Sequence, residues 1–147
     1  MKTVSSAVLA TVLMVSSMVI PAMAQTNGRT MLVVNVPFEF TTANGTLPAG
    51  EYALIRSNPT SDQAIIQFRN TDGHSNALLQ MRPVDGNMQN ASQLIFTHIG
   101  DRYFLSEMWI AGTHSGLQAL KSNAEREEAS VRKPSERVAV ALSAAKR

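Results

Sequence analysis

The chain has 147 residues, enough for one domain built on one hydrophobic core. Lysine and arginine number 13 against 11 aspartates and glutamates, so the sequence pI of about 9.3 rests on a surplus of two charges and marks no nucleic-acid footprint. With 44% apolar and 16% charged residues the chain is not a charge-driven disordered protein, and the lack of cysteine excludes disulfides, thiolate metal sites and a cysteine nucleophile.

The first 24 residues have the layout of a signal peptide. Lys2 gives a positive start, positions 7–20 are almost wholly apolar, Pro21 breaks the segment, and Ala22-Met23-Ala24 is a small–x–small cleavage pattern. Fewer apolar residues are present than the roughly 20 that cross a bilayer. Cleavage after Ala24 would leave Gln25 first and a product of about 123 residues. No cysteine follows the site, so lipid anchoring is excluded. The expected location is the periplasm or the exterior, with a soluble product unless the strands form a small outer-membrane barrel. Lys2 leaves with the signal and the remaining charge is nearly balanced, while all eight aromatic residues stay.

After a linker at 25–30, Leu32, Val34, Val36, Phe38 and Phe40 occupy alternate positions, the period of a half-buried strand. Pro37 on the opposite face lacks an N–H, which points to an edge or bulged strand. Turn chemistry follows at Asn44-Gly45 and at Leu47-Pro48-Ala49-Gly50. Further strands are expected at 51–57 and 63–69, at Ala77, Leu79 and Met81 up to Pro83, and at 93–99. Gly100-Asp101 then makes a two-residue hairpin turn into a strand at 102–110, where Tyr103, Leu105 and Trp109 share a face. The spacing leaves no room for crossover helices. It predicts a mainly β fold: a small antiparallel β-sandwich or barrel of about six to seven strands with a C-terminal α-helix.

Ser122-Asn123-Ala124-Glu125 has the spacing of a capping box and starts a helix of about ten residues that Pro134 stops. Positions 134–147 are Ala-rich and basic and read as a tail, so the single domain is expected at 31–133.

Catalytic groupings are sparse. His74, His98 and His114 are scattered, no Gly-x-Ser-x-Gly elbow is present, and Thr113-His114-Ser115-Gly116 reads as a polar loop. Glycines sit singly at turns, so no phosphate-cradling loop exists, and no metal or cofactor is implied. Glu39 and Glu51 are expected on solvent faces. Glu107 shares the face of Tyr103 and Trp109, so either a bulge turns it out or an arginine such as Arg102 or Arg126 pairs with it. Tyr103, Trp109 and Glu107 are the candidate ligand-binding residues, the aromatic rings offering surface for a small apolar or sugar ligand. The basic residues after Lys121 alternate with glutamates, as on a solvated helix face.

Five strings in order complete the reading: Val36-Pro37-Phe38-Glu39-Phe40, Leu47-Pro48-Ala49-Gly50-Glu51-Tyr52, Phe96-Thr97-His98-Ile99-Gly100-Asp101-Arg102-Tyr103-Phe104-Leu105-Ser106, then Trp109, then Lys121-Ser122-Asn123-Ala124-Glu125-Arg126-Glu127. Across about positions 31–129 they make the chain resemble a family of small exported acidobacterial proteins with no known activity. The resemblance implies a free-standing exported domain and supplies no mechanism. The expected function is a non-enzymatic binding or interaction module of the cell envelope or exterior. One alternative is a small hydrolase using an inward carboxylate or His98. The other is an assembly protein pairing edge to edge through its first strand.

Overall fold

The computed structural model describes residues 29–134 and 136–144, so the expected signal peptide lies outside the described residues. Alternation of apolar and polar side chains builds β1 (Arg29–Val36), in which Val34 and Val36 are buried and Asn35 is exposed. The strand thus begins within the expected linker. Two short strands follow, β2 (Phe40–Thr42) and β3 (Gly45–Leu47), joined through Ala43 and Asn44. Then come β4 (Gly50–Arg56), β5 (Ala64–Asn70), β6 (Asn76–Asp85), β7 (Gln93–Ile99), β8 (Arg102–Trp109) and β9 (Ser115–Ala119). Helix α1 (Asn123–Val131) precedes a last strand, β10 (Glu136–Ser143).

Among the described residues, eight of these strands close a ring in the order β1-β4-β5-β6-β9-β8-β7-β10, each antiparallel to its neighbours. Closure removes the sheet edges that a sandwich would leave. The fold is therefore a small antiparallel barrel with one helix near the C-terminus. The strand number exceeds the expected six to seven because β9 and β10 join the wall.

Three expectations are corrected. Within the expected tail at 134–147, Glu136–Ser143 form β10, which lies between β7 and β1 and completes the barrel. Its Val138, Val140 and Leu142 pack on the core at alternate positions, a period-2 signal obscured by the alanines between them. The first strand is no edge strand, because β1 pairs with β4 along its length and with β10 at Val33 and Val34. Pro37 falls just after its last ladder residue, Val36, so the missing N–H costs no bond. Nor does Pro83 end a strand, since it pairs with Leu117 inside β6. β5 stops opposite Met81, leaving one edge of β6 without a partner at Pro83.

The interior is a packed core. Tyr52, Leu54, Ile66, Phe68, Met81, Leu94 and Phe96 are fully buried. Glu51, Arg69, Gln80 and Arg82 lie exposed between them on the outside. Apolar side chains inside and polar ones outside are the reverse of a lipid-facing barrel. Ile99 and Phe104, opposite in parity to Phe96 and Leu105, are buried on the outer face, where α1 packs against β7.

β9 covers only part of the wall. It pairs with 81–85 of β6 and 107–109 of β8. At the other end of the barrel the β2–β3 hairpin takes its place, with β2 parallel to β8 through Phe40↔Tyr103 and Thr41↔Phe104. The Asn44 amide reaches across to donate to the Leu78 carbonyl on β6. Phe40 enters the core from this hairpin, with its ring centroid 5.6 Å from Tyr52, 6.3 Å from Phe68 and 5.3 Å from Phe96.

Candidate functional site

The hairpin-capped end carries the groove that best fits a binding site. Phe38, Glu39, Thr41, Asp101, Arg102 and Tyr103 line a space of about 230 Å³. Two segments meet there: the 37–42 stretch that links β1 to the cap, and the tight β7–β8 turn. Gly100 adopts φ 62° in that turn, as the Gly-Asp signal predicts, which lets Ile99 pair directly with Arg102. Arg102 is held from two sides. It donates to Thr41 Oγ1 at 3.3 Å, and its guanidinium stands 5.3 Å from the Phe104 ring centroid. The groove thus joins apolar ring surface to two carboxylates, a hydroxyl and a guanidinium.

Tyr103 sits in a stack of three rings. Phe38 covers one side at 3.9 Å between centroids, His98 stacks at 4.4 Å, and both are nearly parallel to it. Phe38 in turn meets Phe96 edge-on at 5.1 Å, joining the stack to the core. Tyr103 therefore contributes its edge to the groove, with its faces taken up by protein neighbours.

Trp109 and Glu107 lie elsewhere. Ile95 pairs with Glu107 but Phe96 with Leu105, so Ser106 is an extra residue in β8. This bulge reverses the alternation: Leu105 and Met108 both reach the core, and Glu107 and Trp109 turn to the outer face. Glu107 accepts from Trp109 Nε1 at 2.7 Å and from Arg137 Nη2 at 2.7 Å. The carboxylate is thus both turned out and paired, with Arg137 of β10 in place of Arg102 or Arg126. That arginine belongs to the stretch that the sequence alone reads as a tail. Trp109 is 8% exposed, its indole lying against the backbones of Gly86 and Gly116. It offers no open platform, and it does not line the groove to which Tyr103 contributes.

The hydrolase ingredients stay apart. His98 belongs to the ring stack at the barrel end, whereas Glu107 faces out and is committed to Trp109 and Arg137. His74 and His114 are exposed, as are Glu39 and Glu51. Thr113 donates within its loop and Ser115 points to Asp85, so the Thr-His-Ser-Gly run is the end of a loop leading into β9. No metal-holding group of histidine and carboxylate occurs among the described residues.

The capping box forms as its spacing predicts. Ser122 Oγ accepts from the Glu125 N–H at 2.9 Å, and the Glu125 carboxylate bonds the Ser122 backbone in return. Burial raises the Glu125 pKa above its ordinary 4.5, opposed by the charges of Lys121 and Arg126 and by that backbone bond. A burial this deep was not legible in the sequence, where Glu125 reads as an exposed first-turn acid.

Comparison of the chain with protein-family models, with curated proteins and with solved structures found no match.

Proposed function

We propose that this protein is a non-enzymatic binding module of the cell envelope or exterior, and that the groove at the capped barrel end takes a small, sugar-like ligand. The observation that carries this reading is the groove's mixed lining: ring edges of Phe38 and Tyr103 beside Glu39, Thr41, Asp101 and Arg102. Sugars present apolar C–H faces and hydroxyl rims together, and such a wall matches both. At about 230 Å³ the space is smaller than the roughly 300–1,000 Å³ of pockets for drug-sized ligands, which favours one sugar ring or the tip of a glycan. The signal-peptide pattern of residues 1–24 supports an exported location.

Saturation-transfer NMR against a panel of monosaccharides, glycan fragments and small apolar compounds tests the ligand. The expected result is saturable contact by a sugar that Asp101→Asn and Arg102→Gln each weaken. Binding by apolar compounds alone, or by none of the panel, rejects the sugar reading. Mass spectrometry of the protein from a bacterial host tests export: Gln25 is the expected N-terminus, and a retained Met1 rejects it.

A further inference from the structure

A second cleft lies beside the first turn of α1. Arg82, Gln118, Ala119, Leu120, Lys121 and Arg126 line about 270 Å³ there. Arg82 comes from β6, Gln118 stands opposite it on β9, Lys121 precedes the helix cap, and Arg126 lies in the helix. Three cations thus converge from three segments, and no carboxylate lines the cleft. All three are exposed, and none of their side chains makes a hydrogen bond or a salt bridge with another described residue, Lys121 and Arg126 acting on Glu125 through charge alone. Glu125, beside Lys121 and Arg126, is only 6% exposed and turned to the Ser122 backbone, so it lowers the local field without lining the cleft, and Glu107, the register partner of Gln118, is held by Arg137.

The Glu125 charge offsets only part of the three positive ones, and the repulsion that remains is relieved by an anion shared among them. We propose that this cleft is an anion site for a phosphate group. Two guanidinium forks and an ammonium match a dianion with three terminal oxygens better than a carboxylate, which offers two oxygens and one charge. Gln118 adds a neutral amide donor. The positive end of the α1 dipole, beside Lys121, acts in the same direction. The phosphate is a terminal monoester, borne either on a soluble molecule or on a lipid such as phosphatidic acid, since both present the same group to the cleft.

The test is a titration of the full chain with inorganic phosphate at fixed ionic strength, followed by amide NMR. The expected result is saturable shifts at Arg82 and across 118–126, with chloride producing none. The double variant Arg82→Gln/Arg126→Gln should bind at least about tenfold more weakly. Arg69→Gln, on the exposed face of β5, should bind normally. Because the side chains of Arg82 and Arg126 make no hydrogen bond or salt bridge with a described residue, an unchanged melting temperature will show that the double variant is folded. Sedimentation with phosphatidylcholine vesicles, with and without phosphatidic acid, separates the sources. Binding that requires phosphatidic acid and is lost in the double variant assigns a lipid headgroup. Phosphate saturation without vesicle binding assigns a soluble phosphate. Shifts shared with chloride, or kept in the double variant, overturn the proposal.

Discussion

The Trp109 indole lies across Gly116, its partner on β9, with ring carbon Cε3 2.6 Å from where a Gly116 Cβ would stand. Gly86 approaches the far edge of the same ring as closely, 2.6 Å from its would-be Cβ to Cη2. The ring thus supplies the packing that a glycine in a strand lacks. Gly116→Ala must push the indole out, at a cost of about 1–3 kcal/mol. Trp109 is the only tryptophan, so its fluorescence reports the displacement directly. We expect a red-shifted emission together with a lower denaturation midpoint.

Phe40 is the plug of the barrel end. Its ring meets Tyr52, Phe68 and Phe96, and it is 1% exposed. Phe40→Ala should cost about 3–5 kcal/mol, and Phe40→Leu distinctly less, by chemical denaturation. Because Phe40 also anchors β2 beside Tyr103, Phe40→Ala should loosen the groove, seen as faster amide exchange at 41 and 42.

Glu125 gives stability a pH dependence of definite sign. Its folded-state pKa lies above 4.5, so between 4.5 and that raised value the folded state binds more protons than the unfolded state. Its contribution to stability therefore falls as pH rises through that window, and the loss is complete above it. Glu125→Gln keeps a side chain able to serve the capping box and removes the charge. The variant should match or exceed the parent's stability at pH 7, and the difference should vanish below pH 4.5. A variant less stable at pH 7 than at pH 4, relative to the parent, contradicts this assignment.

Truncation after residue 135 tests the role of β10. The cut removes the strand between β7 and β1 and exposes both edges, together with the core side that Val138, Val140 and Leu142 cover. Loss of a cooperative thermal transition is expected, whereas a disordered tail would be removed without effect.

Local chemistry was legible in the sequence wherever neighbours along the chain decide the outcome. The alternation around Val34 and Val36, the Gly100-Asp101 turn and the Ser122–Glu125 cap all depend on groups within a few residues of each other. Cysteine content, the mainly β class and the poverty of catalytic groupings were equally plain. Tertiary structure decided what depends on distant partners. The Ser106 bulge, visible only against β7, turned Glu107 and Trp109 away from the core side they share with Tyr103 in simple alternation. Arg137 became the partner of Glu107 because β10 enters the wall beside β7. The same closure joined Phe38 to Tyr103 and gathered Arg82, Lys121 and Arg126 from three segments. A strand's period states which side chains share a face, but only pairing across the closed sheet determines what that face meets.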